Sequence, residues 1–146
     1  MRLTVFSDYS LRLMMFAASH EERLVTIEEV SQTFGISRSH LMKVANLLTR
    51  SGFLKAVRGR SGGLSLTRSI DSIRLGDIVR ATEPDFAVVE CLGSHNTCRI
   101  APSCRLKGIL CRATNAFIAE LDAHTLRDLV LSPLDFGIHA PPSSNY

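Results

Sequence analysis

Apolar positions recur at helical spacing in the first third of the chain. In SDYSLRLMMFAASH, Leu11, Met14, Met15 and Ala18 predict a first helix, with Ser7 or Asp8 able to cap its start. Thr26 followed three residues later by Glu29 is a capping box at the head of TIEEVSQTFG, where Ile27, Val30 and Phe34 share a face and Gly35 is the stop. Only Gly35 and Ile36 separate this helix from Ser37, a second good N-cap. Leu41, Val44, Leu47 and Leu48 then form an inward stripe that runs until Gly52. Two helices joined by a tight glycine-containing turn make a helix-turn-helix.

The period then changes to two. Leu54 and Ala56, followed by Leu64 and Leu66, alternate around the tip RGRSGG and predict two strands joined by a glycine-rich turn, a wing. Ile73, Leu75, Ile78 and Val79 predict a further helix ending near Pro84. Leu106, Ile109, Leu110, Ala113, Phe117 and Leu121 line one face of a long helix. A long helix outside a small winged domain buries its stripe either against its own domain or against a second copy, and a homodimer is expected. The fold class expected is mainly α with a small β-hairpin wing. Residues 1–80 form the winged helix-turn-helix, 81–104 a loop, 105–131 the dimerisation helix region, and 132–146, without periodicity, a flexible tail.

Composition and charge turn this outline into a functional expectation. The chain has 146 residues, the size of one domain, and 45% hydrophobic content suffices for a core. No segment approaches about 18 uninterrupted apolar residues, and MRLTVFSDYS lacks a signal peptide's apolar run, so a cytoplasmic location without membrane contact is expected. The net charge of +3 is unevenly placed. Residues 1–75 carry eleven Lys or Arg against six Asp or Glu, whereas 76–146 carry six against eight. Between Glu29 and Asp71 there is no acidic residue, yet Arg38, Lys43, Arg50, Lys55, Arg58, Arg60 and Arg68 fall there. A one-sign stretch inside a folded region is the footprint of a polyanion partner.

With Leu41, Val44 and Leu48 inward, Arg38, Ser39, His40, Lys43 and Asn46 lie on other faces, clustered toward the start of the third helix. DNA readers present that end to base edges in the major groove, where Arg, Asn, Ser and His donate or accept. Arg58 and Arg60, beside Gly59, Gly62 and Gly63, suit the DNA backbone or a narrow minor groove, because glycine allows close approach and Arg favours that negative potential. Double-stranded DNA is the expected partner.

The stretch ECLGSHNTCRIAPSC holds Cys91, Cys98 and Cys104 among turn-forming residues. In a reducing compartment, clustered thiols argue for metal or redox chemistry ahead of structural disulfides. The C-x6-C-x5-C spacing contains no C-x-x-C, so a zinc knuckle fits poorly. Wide spacing in a loop suits an iron-sulfur cluster, whose thiolates are spread over several ångströms. Cys111 is a fourth candidate, with a buried helix cysteine as the commoner reading.

The segments MRLTVFSDYSLR, GISRSHLMKV, VRGRSGGLSL, IRLGDIVR and CRIAPSCRLK resemble the family of bacterial winged-helix regulators that includes NsrR, IscR and RirA, NsrR most closely, and the resemblance runs to about Leu131. It implies a homodimeric regulator, a repressor, on a palindromic operator. It also implies an iron-sulfur cluster on Cys91, Cys98 and Cys104, 4Fe-4S ahead of 2Fe-2S, that is read by nitric oxide. In IscR-like relatives a histidine three residues past the last cysteine completes the site; here that position is Lys107, which cannot ligate while protonated. In NsrR-like relatives an aspartate near the N-terminus of the other subunit does so, and Asp8 in FSDYS matches it. The other roles open to Asp8 are a helix cap or an i,i+4 pair with Arg12. The gap holding His95 is longer than in some relatives, so His95 and Cys111 stay open as fourth ligands.

An iron- or cluster-status-responsive regulator is the alternative function, and a non-regulatory iron-sulfur redox protein a further one. An enzyme is not expected: there are no paired carboxylates in an apolar setting, no Ser-His-Asp pattern, and RGRSGG joins strand to strand rather than strand to helix.

Overall fold

The computed structural model describes residues 2–137. Its elements in chain order are α1 (Val5–Ala18), α2 (Ile27–Phe34), α3 (Arg38–Arg50), β1 (Leu54–Val57), β2 (Gly63–Leu66), α4 (Leu75–Thr82) and α5 (Arg105–Ala123). Short 3-10 turns occupy Glu90–Leu92, Ala101–Ser103, Leu126–Leu129 and Pro133–Phe136. The architecture is mainly helical with one antiparallel hairpin, a winged helix-turn-helix.

Capping chemistry sets the starts of α1, α2 and α3. The Thr26 hydroxyl accepts the Glu29 N–H while the Glu29 carboxylate accepts the Thr26 N–H at 2.8 Å, the reciprocal box expected. Burial pushes the Glu29 carboxyl up, but the Thr26 hydrogen bonds and the nearby Arg23 cation outweigh it and hold the group below its ordinary value. Gly35, at φ 65°, ends α2 in the left-handed conformation that glycine adopts without strain. Helix α1 differs from expectation. It starts earlier, on Thr4, whose hydroxyl accepts the Ser7 N–H, so Ser7 and Asp8 lie inside the helix and neither caps it. Thr4 is pinned in turn by Glu83, which accepts its N–H at 2.8 Å.

Helix α1 is the centre of the core. Leu13, Met14 and Phe16 are fully buried, while Leu11 and Met15, expected inward, are half-buried. Buried Ser7 and Ser10 face inward too: Ser7 shares a 2.8 Å hydroxyl contact with Thr82 of α4, and Ser10 donates to the Phe6 carbonyl. In α3 the buried stripe is Leu41, Val44, Ala45 and Leu48, with Leu47 only half-buried.

In the wing, Leu54 pairs with Leu66 and Ala56 with Leu64. Val25 adds a third strand position by exchanging both backbone bonds with Leu64, at 2.9 and 2.7 Å, which ties the wing to the α1–α2 connection. A side chain at Gly63 would meet the Val25 carbonyl, so this close approach requires glycine.

Helix α5 departs most from a self-contained domain. None of its residues is buried. Its second half lies on α4, where Arg80 grips Asp122 with both guanidinium nitrogens, one bond at 2.7 Å. In its first half Leu106 and Ile109 are 59% and 53% exposed, so the expected stripe is not covered by this chain. At the start of the segment expected to be a tail, Pro133–Phe136 forms a 3-10 turn, and the Phe136 ring packs against Phe16, His20 and Phe34 at 5.3, 5.7 and 6.1 Å. Aromatic burial outweighs the ordering cost there. Residues 138–146 of that tail lie outside the described residues.

Candidate nucleic-acid interface and cysteine loop

Burying Leu41, Val44 and Leu48 leaves Arg38, Ser39, His40, Lys43 and Asn46 exposed on α3, as the register predicts. Ser37 caps the helix by accepting the His40 N–H, so the first turn is fixed. The His40 ring rests against Tyr9 of α1, centroids 5.9 Å apart. Arg38 donates through Nη1 to Glu28 of α2 at 2.7 Å. Among the described residues, Lys43 and Asn46 have no side-chain hydrogen bond or ion pair, so their polar ends are free for a partner.

Met42 was missed by the sequence reading. It is 56% exposed on the same helix, one turn from Arg38. A large apolar side chain on the face left polar by the stripe was the available signal.

At the wing tip Arg58 and Arg60 are exposed. Gly59 sits at φ 112°, and Gly62 donates its N–H to the Gly59 carbonyl at 3.0 Å. A side chain at Gly62 would collide with the Val57 and Gly59 carbonyls. Gly62 is therefore needed by the turn itself, and any DNA contact it makes is through its backbone.

The loop between α4 and α5 carries the three cysteines. Glu90, next to Cys91, accepts both the N–H and the hydroxyl of Thr97, next to Cys98, at 2.8 and 2.6 Å. The six-residue gap is thus closed at its base. The Thr97 hydroxyl, then its N–H, hold the Glu90 carboxyl below its ordinary value, so this closure is present at neutral pH and is lost as pH falls through that lowered value. Backbone turns link Cys98 to Ala101 and Ala101 to Cys104, which sits at the head of α5. All four thiols are free; Cys91 and Cys104 are half-buried and Cys98 is exposed.

Among the described residues, no three Cys, His, Asp or Glu side chains stand close enough to hold one metal ion. Asp8 is held elsewhere: Arg12 donates Nε and Nη2 to its two oxygens, both at 2.9 Å, which also favours the charged guanidinium. The i,i+4 pair is thus present and the cap is not. His95 is exposed on the loop. Cys111, read as a buried helix cysteine, is instead exposed on α5. By donor chemistry the residues fit an iron-sulfur group, since three soft thiols share one segment that has no competing carboxylate beyond Glu90.

The family model described as "Rrf2: Iron-dependent Transcriptional regulator" matches residues 3–132. Among solved structures, the chain is similar to CymR (YrzC), the global cysteine regulator of B. subtilis, at 28% identity and a TM-score of 0.73, covering 88% of this chain and 95% of that one. The oxidised form of Staphylococcus aureus CymR is similar at 25% identity and a TM-score of 0.72, with the same coverage. T. potens IscR, at 24% identity and a TM-score of 0.72, covers 100% of this chain and 97% of its own and shares the fold. The helix-turn-helix, the wing and the family match agree: this chain belongs to the Rrf2 family of transcriptional regulators.

Proposed function

We propose that this chain is a homodimeric repressor that senses nitric oxide through a labile iron-sulfur cluster held by Cys91, Cys98 and Cys104, with Asp8 of the partner subunit as fourth donor. The observation that carries this is three free thiols on one loop closed by Glu90 and Thr97, set between the winged helix-turn-helix and a helix whose first half is uncovered. Leu106 and Ile109 on α5 supply the apolar face on which a second copy would dock. When bound, the cluster supplies iron that nitric oxide can attack.

The chain's own residues do the rest. Arg38, Ser39, His40, Lys43 and Asn46 enter the major groove, where Met42 offers an apolar contact to a thymine methyl. Arg58 and Arg60 grip backbone phosphates or the minor groove. Each Asp8 oxygen accepts one Arg12 N–H and keeps a further lone pair with which it can donate. An oxygen donor is harder than thiolate and leaves that corner labile. Drawing the loop of one protomer toward α1 of the other fixes the separation of the two α3 helices. Half-sites lie about 34–36 Å apart per duplex turn, so a small rotation misplaces both readers. Release of the loop lets them go.

A salt series tests the wing. Substituting Arg58 or Arg60 with Ala is expected to flatten the plot of log affinity against log salt by about 0.9 for each phosphate no longer neutralised. An unchanged slope removes the wing from the interface.

The second reading, a regulator of iron or cluster supply, is favoured by the description of the matching family as iron-dependent. Exposing anaerobic protein to nitric oxide and, separately, to an iron chelator separates the two. The nitric-oxide reading expects the faster, stoichiometric loss of visible absorbance with the gas. Slower loss with the gas than with the chelator assigns the signal to iron.

A further inference from the structure

Glu28 is an acidic side chain that reaches the first residue of α3, in a stretch, 30–70, that holds no acid of its own. Its neighbour Glu29 is consumed by the capping box and by Arg23, but Glu28 caps nothing. Its two oxygens are divided instead: Oε1 accepts Gln32 Nε2 at 2.8 Å, and Oε2 accepts Arg38 Nη1 at 2.7 Å. The carboxylate is thereby clamped from its own helix and aimed at the first residue of α3. In a helix-turn-helix the first helix crosses the DNA backbone, so an unpaired carboxylate at this place would repel phosphates. A solvent-exposed ion pair of this kind adds little to stability. The Arg38 and Glu28 side chains are 69% and 49% exposed, so a role in holding the fold does not explain the arrangement.

We propose that Glu28 is a positioning residue that converts Arg38 from a phosphate clamp into a reader of one guanine in each half-site. One guanidinium nitrogen and the net charge of Arg38 are committed to Glu28. The remaining N–H donors of the fork keep the planar geometry that matches guanine O6 and N7. Gln32 serves as the second anchor by fixing the carboxylate rotamer. The proposal rests on the placement of α3 in the major groove argued above.

The test uses anaerobically purified, iron-loaded full-length protein as wild type, Glu28→Gln, Arg38→Gln and the double variant. Wild type is first presented with a library of random duplexes, and the recovered site and a scrambled duplex of equal length become the probes. Wild type is expected to recover a two-fold site in which one guanine per half-site is lost from the Arg38→Gln selection. Glu28→Gln is expected to bind the scrambled duplex more tightly, with a salt slope steeper by about 0.9 per chain as Arg38 turns to a phosphate. Its preference for that guanine is expected to fall roughly 5- to 150-fold, the range of one bidentate contact. The double variant is expected to match Arg38→Gln, and the melting temperature to stay at the wild-type value. An unchanged guanine preference and salt slope in Glu28→Gln, or an effect of Glu28 that persists without Arg38, overturns the proposal. Failure of wild type to recover any preferred sequence overturns the major-groove placement itself, and no variant is needed to see it.

Discussion

Replacing Cys98 with serine is expected to reduce the iron and acid-labile sulfide of anaerobically purified protein to background. A serine hydroxyl is a hard, weakly acidic donor that, unlike a carboxylate, stays protonated at neutral pH and stands in poorly for a thiolate on iron. Cys98 is exposed, so the substitution should leave stability within about 0.5 kcal/mol of iron-stripped wild type. That contrast matters: lost metal with a thermal transition equal to that of iron-stripped wild type assigns Cys98 to the site, whereas a transition below that of iron-stripped wild type would describe a damaged fold. Cys111→Ser, exposed on α5, is expected to keep its iron and serves as the control. Full iron retention in Cys98→Ser would remove this thiol from the donor set.

Phe16→Ala is expected to have the largest effect on the fold. The ring is fully buried in α1 and meets the rings of His20 at 4.3 Å, Phe136 at 5.3 Å and Phe34 at 6.2 Å. Truncating a buried Phe costs about 3–5 kcal/mol, a large part of the roughly 5–15 kcal/mol that holds a domain folded. A melting temperature lower by roughly 6–20 °C follows for a chain of this size. Because Phe136 belongs to the same ring cluster, the segment after Leu129 should become protease-sensitive in the variant. A shift of only one or two degrees would mean that the cluster is not the keystone of α1.

The parts of the fold with strong local chemistry were legible from sequence. Thr26, Glu29 and Gly35 bound α2, and Ser37 starts α3, because a cap needs only neighbours along the chain. The alternation of Leu54, Ala56, Leu64 and Leu66 located the two strands of the wing. What was not legible depends on partners distant in sequence. Thr4 caps α1 with support from Glu83, and Val25 joins the sheet as a single residue, too short for any period. Phe136 lies in a segment without periodicity, and its ring partners come from α1 and α2, more than a hundred residues earlier.

The candidate site divides in the same way. The register of α3 exposed the reading face, yet the pair between Arg38 and Glu28, ten residues apart across the turn, required the geometry of two helices. Cysteine spacing located the loop but not the separation of the thiols, since a loop of turns has no period from which to calculate it. The Glu90–Thr97 bonds that close its base were equally invisible, although both residues stand beside cysteines.

The central claim is that iron held on the cysteine loop sets the grip of the two α3 helices on DNA. Its most direct test is an anaerobic mobility-shift titration of one duplex with iron-loaded protein and with the same preparation stripped of iron. The account predicts tighter binding by the loaded form, by roughly 5- to 150-fold, the usual span of a coupling between sites. Equal affinity of the two forms would contradict it.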